Sequence, residues 1–207
     1  MPTDVKRGRF LVIEGGDGVG KTTQVAAVAG ALGATGKAVR ATREPGGTEL
    51  GEQLRTLLAG DGEIDPAAEA LLLLAARAQH CSEVIRPALE RGVWVLSDRF
   101  EGSFYAYQGY GRGISLADLE ALNNFAVGGV TPDLTILLAS RAVGSYRELD
   151  GADRFEGMGE DFQARVEAGY VLLAERYGWE VVDSQGSRSD VTQRILAVIE
   201  RRLGIEP

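Results

Sequence analysis

A lysine and a threonine placed directly after a run of glycines are suited to holding a polyphosphate. Gly15, Gly16, Asp17, Gly18, Val19, Gly20, Lys21 and Thr22 fit the spacing G-x-x-x-x-G-K-[ST]. Glycines let the backbone curl until several N–H groups converge on one anion. A helix opening behind them, through Thr23, adds the partial positive charge of its N-terminus. Lys21 is then placed to reach β- and γ-phosphates, and the Thr22 hydroxyl to bind Mg²⁺. A purely structural turn has no need of Lys-Thr at its end. The loop therefore points to a nucleoside triphosphate, without naming the reaction.

Other chemistries lack their parts. The chain of 207 residues has one histidine, His80, and one cysteine, Cys81. No Ser-His or Cys-His arrangement is in view, and both residues read as packing. A guanine-reading N-K-x-D motif is absent, since Asn123 and Asn124 lead into Phe125. The formal net charge of −8 argues against non-specific nucleic-acid binding. It does not forbid a phosphorylated ligand, because local Arg and Lys can make a positive pocket. No apolar run is long enough to span a bilayer, and Phe10 to Ile13 is too short for a signal-peptide core. With one cysteine no internal disulfide forms, and the expected setting is cytoplasmic.

Apolar runs alternate with helical patterns along the chain. Strands are expected at Phe10 to Ile13, Lys37 to Thr42, Val93 to Leu96, Leu134 to Leu138 and Glu180 to Val182. Helices are expected at Thr22 to Leu32, Leu50 to Leu58, Ser115 to Phe125 (capped by Ser115), Phe162 to Tyr177 and Asp190 to Leu203. Asp65 and Pro66 read as N-cap and first position of a helix running towards Arg91, which Pro87 should kink or break. This alternation predicts one α/β domain over residues 1–207, with a five-stranded parallel sheet between two helical layers. Ligands in such folds bind beyond the carboxyl ends of the strands. The segment Asp183 to Gly186, after the last strand, is expected to border the nucleotide base.

Further motifs stand after the strands: Thr42-Arg-Glu-Pro-Gly-Gly-Thr48, Ala75-Ala-Arg77-Ala-Gln79, Asp98-Arg99-Phe100, Ser103 with Ala106-Tyr107-Gln108-Gly109, Thr131-Pro-Asp-Leu134 and Asp153-Arg-Phe-Glu156. Together with the phosphate loop, in this order, the chain resembles the thymidylate kinases, P-loop kinases of nucleoside monophosphates. The resemblance implies transfer of phosphate from ATP to thymidine monophosphate with Mg²⁺, an acceptor region at about 43–110, a short lid at about 141–158, and a homodimer. It also implies residue roles. Arg99, helped by Arg55, would hold the acceptor phosphate. Arg77 would meet the pyrimidine edge, with Gln108 nearby. Asp17 would approach the sugar 3′-hydroxyl, and Tyr107 would pack at C2′. Glu44, Pro45, Ser103 and Asp98 would complete the acceptor site. Thr22, Asp98 and Glu156 would serve the metal, and Arg147 and Arg154 would clamp the transferring phosphate. Two positions depart from the family pattern. Leu73 stands where an aromatic often stacks on thymine, and Phe104 stands where a small polar residue is common. Phe104 is expected to replace part of that stack from the opposite side. The altered pocket also leaves open a kinase for another pyrimidine, and the short lid a weakly active nucleotide-binding relative.

Overall fold

A strand covered on both faces must be apolar at consecutive positions, and β1 (Phe10–Glu14) is buried at all five. The computed structural model describes residues 7–60, 62–139 and 159–204. Within them five parallel strands pair in the order β2 (Val39–Arg43), β3 (Trp94–Asp98), β1, β4 (Leu134–Ala139) and β5 (Glu180–Asp183). The helices are α1 (Lys21–Ala34), α2 (Glu49–Ala59), α3 (Pro66–His80), α4 (Arg86–Glu90), α5 (Glu101–Phe104), α6 (Leu116–Val127), α7 (Glu160–Tyr177) and α8 (Arg188–Leu203).

The period of two along β1 sorts its side chains between layers. Leu11 and Ile13 pack with Val28 and Leu32 of α1 and with Ile195 and Ile199 of α8. Phe10 and Val12 pack on the other face with Ile85, Leu89 and Val127. A third apolar group joins α3, α6 and α7 around Leu119, Val166 and Leu173. The sheet thus lies between helical layers, as the sequence predicts. No helix among the described residues is long and apolar enough to cross a membrane.

The interruption expected from Pro87 is present, and two other local readings change. The helix from Pro66 continues through a π-helical turn, Cys81–Ile85, into α4, which ends at Glu90 with Arg91 as its cap. Pro87 has no N–H to continue an α-helical ladder, and the wider turn lets Arg86 N donate to Cys81 O instead. A second π-helical segment, Tyr105–Gly111, extends α5, where no regular element was expected. Ser115 precedes α6, yet its side chain makes no capping hydrogen bond. The cap predicted at Asp65 is present, accepting from Ala67 N at 2.8 Å beside Pro66.

Ile13 is fully buried at the centre of the sheet. Ile13→Ala is expected to destabilise the fold by about 2–5 kcal/mol, read from the urea midpoint at unchanged slope. A loss below ~0.5 kcal/mol would contradict its place in the core.

Candidate active site at the carboxyl edge of the sheet

Parallel register brings three strand ends together. Asp98 pairs with Ile13 on one side and Arg43 on the other. The residues that follow, Glu14 and Gly15, Glu44 and Pro45, and Arg99 and Phe100, therefore leave the sheet at one edge.

The phosphate loop joins β1 to α1. At Gly15 a Cβ would lie 2.5 Å from Leu138 O, so a side chain there would strike β4. Gly20 takes φ 91° at the cap of α1, a left-handed conformation open to glycine. Lys21 is buried, and its Nζ donates to Gly16 O at 2.5 Å. Burial, and next the charge of Arg99, push its pKa down to about 7. Thr22 Oγ1 donates to Asp98 Oδ2 at 2.6 Å. Among the described residues no three His, Cys, Asp or Glu gather into a metal cage. Mg²⁺ needs no such cage, since one or two protein oxygens beside substrate phosphates suffice. The hard oxygens of Thr22 and Asp98, adjacent at the loop, fit that requirement.

Arg99 is the one non-glycine among the described residues with positive φ, at 69°. Such a conformation costs on the order of 1–3 kcal/mol and persists where surroundings enforce it. Arg99 N donates to Ile13 O at 3.0 Å, and Ser97 Oγ donates to Arg99 O at 2.7 Å. The next amide, Phe100 N, donates to Glu14 Oε1 at 2.8 Å. The guanidinium then reaches Gly15 O, Ser103 Oγ and Tyr170 Oη at 2.9–3.0 Å and pairs with Asp17. Asp17 also accepts the Tyr107 hydroxyl. Burial alone would raise the Asp17 carboxyl; the charges of Arg99 and Lys21 outweigh it and hold the group below its ordinary value. Glu14 is fully buried, and burial pushes its carboxyl up.

A second network lies beside it. Arg77 Nε donates to Glu44 Oε2 at 2.7 Å, with both side chains buried. The other two nitrogens donate to Asn123 Oδ1 and Phe100 O at 2.8 Å. His80 Nδ1 is 2.9 Å from Glu44 Oε1, and Nε2 is 2.7 Å from Thr42 Oγ1. A carboxylate only accepts, so Nδ1 carries the proton. His80 is thus a polar strut behind Glu44 rather than mere packing, while Cys81 does belong to the apolar core. Burial opposes ionisation of Glu44, but Arg77 and His80 overcome it and keep its pKa low.

Eleven of the twelve residues expected around an acceptor line a single cleft: Asp17, Glu44, Pro45, Arg55, Leu73, Arg77, Arg99, Ser103, Phe104, Tyr107 and Gln108. Asp98 does not line it and faces Thr22. Arg55 is exposed and donates to Pro45 O at 3.1 Å. Phe104 is buried in the cleft wall, with the Arg77 guanidinium carbon 5.3 Å from its ring centre and 4.8 Å from that of Phe100. After β5, Arg194 donates to the carbonyls of Asp183 and Gln185, tying that loop to α8. Arg147, Arg154 and Glu156 lie outside the described residues.

Sequence reasoning missed Glu14, Phe100, Asn123 and Tyr170. A carboxylate ending an apolar strand was a visible signal at Glu14. Tyr170 arrives from α7, 71 positions beyond Arg99, and nothing local announces it.

A family model for thymidylate kinase matches residues 13–195. The thymidylate kinase of Prochlorococcus marinus (strain MIT 9313) is 43% identical over 207 aligned residues, covering 95% of this chain and 96% of the relative. That of Pelotomaculum thermopropionicum is also 43% identical, over 95% of each chain. The crystal structure of thymidylate kinase from Ehrlichia chaffeensis superposes with a TM-score of 0.79 at 30% identity, covering 93% of this chain and 99% of that one. The motifs, the edge on which they meet and these matches agree: the chain belongs to the thymidylate kinase family.

Proposed function

We propose that this enzyme phosphorylates thymidine monophosphate from ATP, and that the cleft reads the base through Arg77 and Gln108. The observation that carries the base reading is one atom. Among the described residues, Gln108 Oε1 is the only buried side-chain nitrogen or oxygen without a hydrogen-bond partner. Gln108 lines the cleft, and its Nε2 donates to Glu69 Oε1 at 3.0 Å, which leaves the oxygen to receive a ligand. Arg77 has five N–H donors, and its three protein bonds leave two of them. Thymine presents an O4 acceptor beside an N3–H donor, which matches a guanidinium beside an amide oxygen. Cytosine presents the reverse, an N4–H₂ donor beside a bare N3.

The other residues divide the remaining work. Arg99, with Arg55 at the rim, holds the acceptor phosphate. That phosphate would take the place of Asp17 on Arg99 and leave Asp17 to the sugar 3′-hydroxyl. Tyr107 packs on the sugar, and Phe104 and Leu73 supply apolar wall. Gly15 to Thr23 hold the ATP phosphates, with Lys21 on the β- and γ-phosphates. Thr22 and Asp98 would hold Mg²⁺, which would supply positive charge to offset that of the phosphates. An acceptor phosphate oxygen attacks the γ-phosphorus, and the bond to the β-γ bridging oxygen breaks as ADP leaves. The attacking oxygen is largely anionic at pH 7, because the second pKa of a phosphate monoester is about 6. No general base is required. Arg147 and Arg154 as the clamp, Glu156 near the metal, the homodimer and the cytoplasmic setting belong to the same reading, supported by the resemblance alone.

A coupled ADP-release assay with thymidine, deoxyuridine, uridine, cytidine and guanosine monophosphates tests the reading. Strong preference for the thymidine form is expected; preference for a cytidine form would refute the base assignment. Arg99→Ala should raise the acceptor KM by about tenfold or more, since it removes a charged hydrogen-bond donor, and an unchanged KM would overturn its role. Phe104→Ser should weaken acceptor binding, by about tenfold if the ring contributes a stacking contact; unchanged affinity would refute that contact.

The depressed pKa of Lys21 makes a separate prediction. Near pH 8 the nucleotide-free lysine is mostly neutral, and bound phosphates favour its charged form. ATP binding should therefore take up close to one proton, and affinity should fall as pH rises above about 7. Calorimetry in buffers of different ionisation enthalpy measures the uptake. Lys21→Arg, which does not titrate there, should show none; equal uptake by both proteins would exclude Lys21 as the source.

A further inference from the structure

The orientation of the Gln108 amide matters more than its presence. Turned over, it would offer NH₂ to the cleft and welcome the bare N3 of a cytosine. An isolated glutamine has little reason to prefer one orientation. Here the choice is made behind the cleft. Glu69 opens the first turn of α3 and is fully buried. Its Oε1 accepts from Gln108 Nε2 at 3.0 Å and from Arg112 Nε at 3.2 Å, and its Oε2 accepts from Arg112 Nη2 at 2.8 Å. Arg112 itself is partly exposed, at 20%. A carboxylate paired with an arginine through both oxygens acts as an acceptor, so it faces the NH₂ end of the amide.

We infer that the ion pair of buried Glu69 with partly exposed Arg112 is a specificity-determining device that locks the Gln108 amide with its oxygen towards the base, selecting acceptors with an N3–H donor over cytosine nucleotides. Neither residue touches the acceptor: Glu69 and Arg112 are positioning residues acting through Gln108. The inference rests on the base reading above and goes one layer behind it. The pair also explains an expensive feature. A carboxylate with no exposure is costly unless paired and hydrogen-bonded, and Glu69 stands in a helix turn whose cap, Asp65, is already present.

The test compares kcat/KM for thymidine and deoxycytidine monophosphates in Glu69→Gln, Glu69→Asp and Gln108→Met. A glutamine at 69 can donate or accept, so the lock is lost. The thymidine-to-deoxycytidine ratio should fall about tenfold, the value of one mispaired hydrogen bond, mainly through KM. Glu69→Asp keeps an acceptor-only group and should restore most of the ratio. If Glu69→Gln lowers both substrates equally, or leaves the ratio unchanged while Gln108→Met shifts it, the pair is structural and the inference is overturned. If Gln108→Met leaves the ratio unchanged, the base reading itself fails and the lock falls with it. Should Glu69→Gln not fold, the intact protein still answers by NMR of the Gln108 side chain. One Nε2 proton should keep its deshielded, slowly exchanging signature with and without thymidine monophosphate; loss of that signature on binding would overturn the lock.

Discussion

An arginine that must meet an incoming phosphate has to be held in place without being permanently neutralised. Arg99 satisfies that constraint through its backbone first. Its left-handed conformation is unfavourable for a side chain with a Cβ, yet each polar group around it is fixed. Ile13 takes its N–H, Ser97 caps its carbonyl, and Glu14 holds the amide that follows. The guanidinium then meets mostly neutral oxygens, a backbone carbonyl and two hydroxyls. Its ionic partner is Asp17, the carboxylate that the acceptor phosphate would replace in the proposed reaction.

Phe100 joins the two halves of the site. Its N–H is bound by Glu14, and its carbonyl accepts from Arg77. Its ring is buried edge-on against Phe10 of the central strand, 5.0 Å between centres. The peptide that fixes Arg99, proposed to bind the phosphate, therefore also fixes Arg77, proposed to read the base. Behind Arg77, Glu44 is braced by His80, and His80 by Thr42 of β2. Gly47 makes room for that brace, since a Cβ there would lie 2.7 Å from His80 Nε2. A buried network of this kind is strong only when every member is satisfied. Among the described residues, the single buried side-chain nitrogen or oxygen without a partner, Gln108 Oε1, stands at the cleft.

Much of this was legible from residue order. The phosphate loop and the parallel sheet follow from periodicity and from glycine and lysine chemistry, while the motifs after the other strands gained meaning from the family resemblance. The eleven acceptor residues that line the cleft were implied by the family resemblance; parallel register delivers those that follow strands, such as Glu44 and Arg99, and helices α2, α3 and α5 with Tyr105–Gly111 deliver the rest. What escaped depends on distant partners. His80 looks like packing until Glu44 and Thr42 arrive from other elements. Tyr170 and Glu69 are unremarkable on amphipathic helices until α7 and the Tyr105–Gly111 segment bring them to Arg99 and Gln108. The π-helical turns escaped because a helical period does not distinguish an extra residue in one turn.

The electrostatics of the site can be read as preparation for two polyanions. Lys21 and Arg99 lie close enough that the charge of Arg99 helps to lower the pKa of Lys21. Asp17, Asp98 and Glu14 act in the opposite direction, and burial is the largest cause of the lowered value. Burial of like charges is unfavourable in the free enzyme, and each arriving phosphate relieves it. In the proposed reaction the cations that meet the two polyanions are thus held in place by protein oxygens before either substrate arrives. Preorganisation of this kind lowers the barrier without proton transfer, so the proposed reaction makes no demand on the single histidine, which braces Glu44.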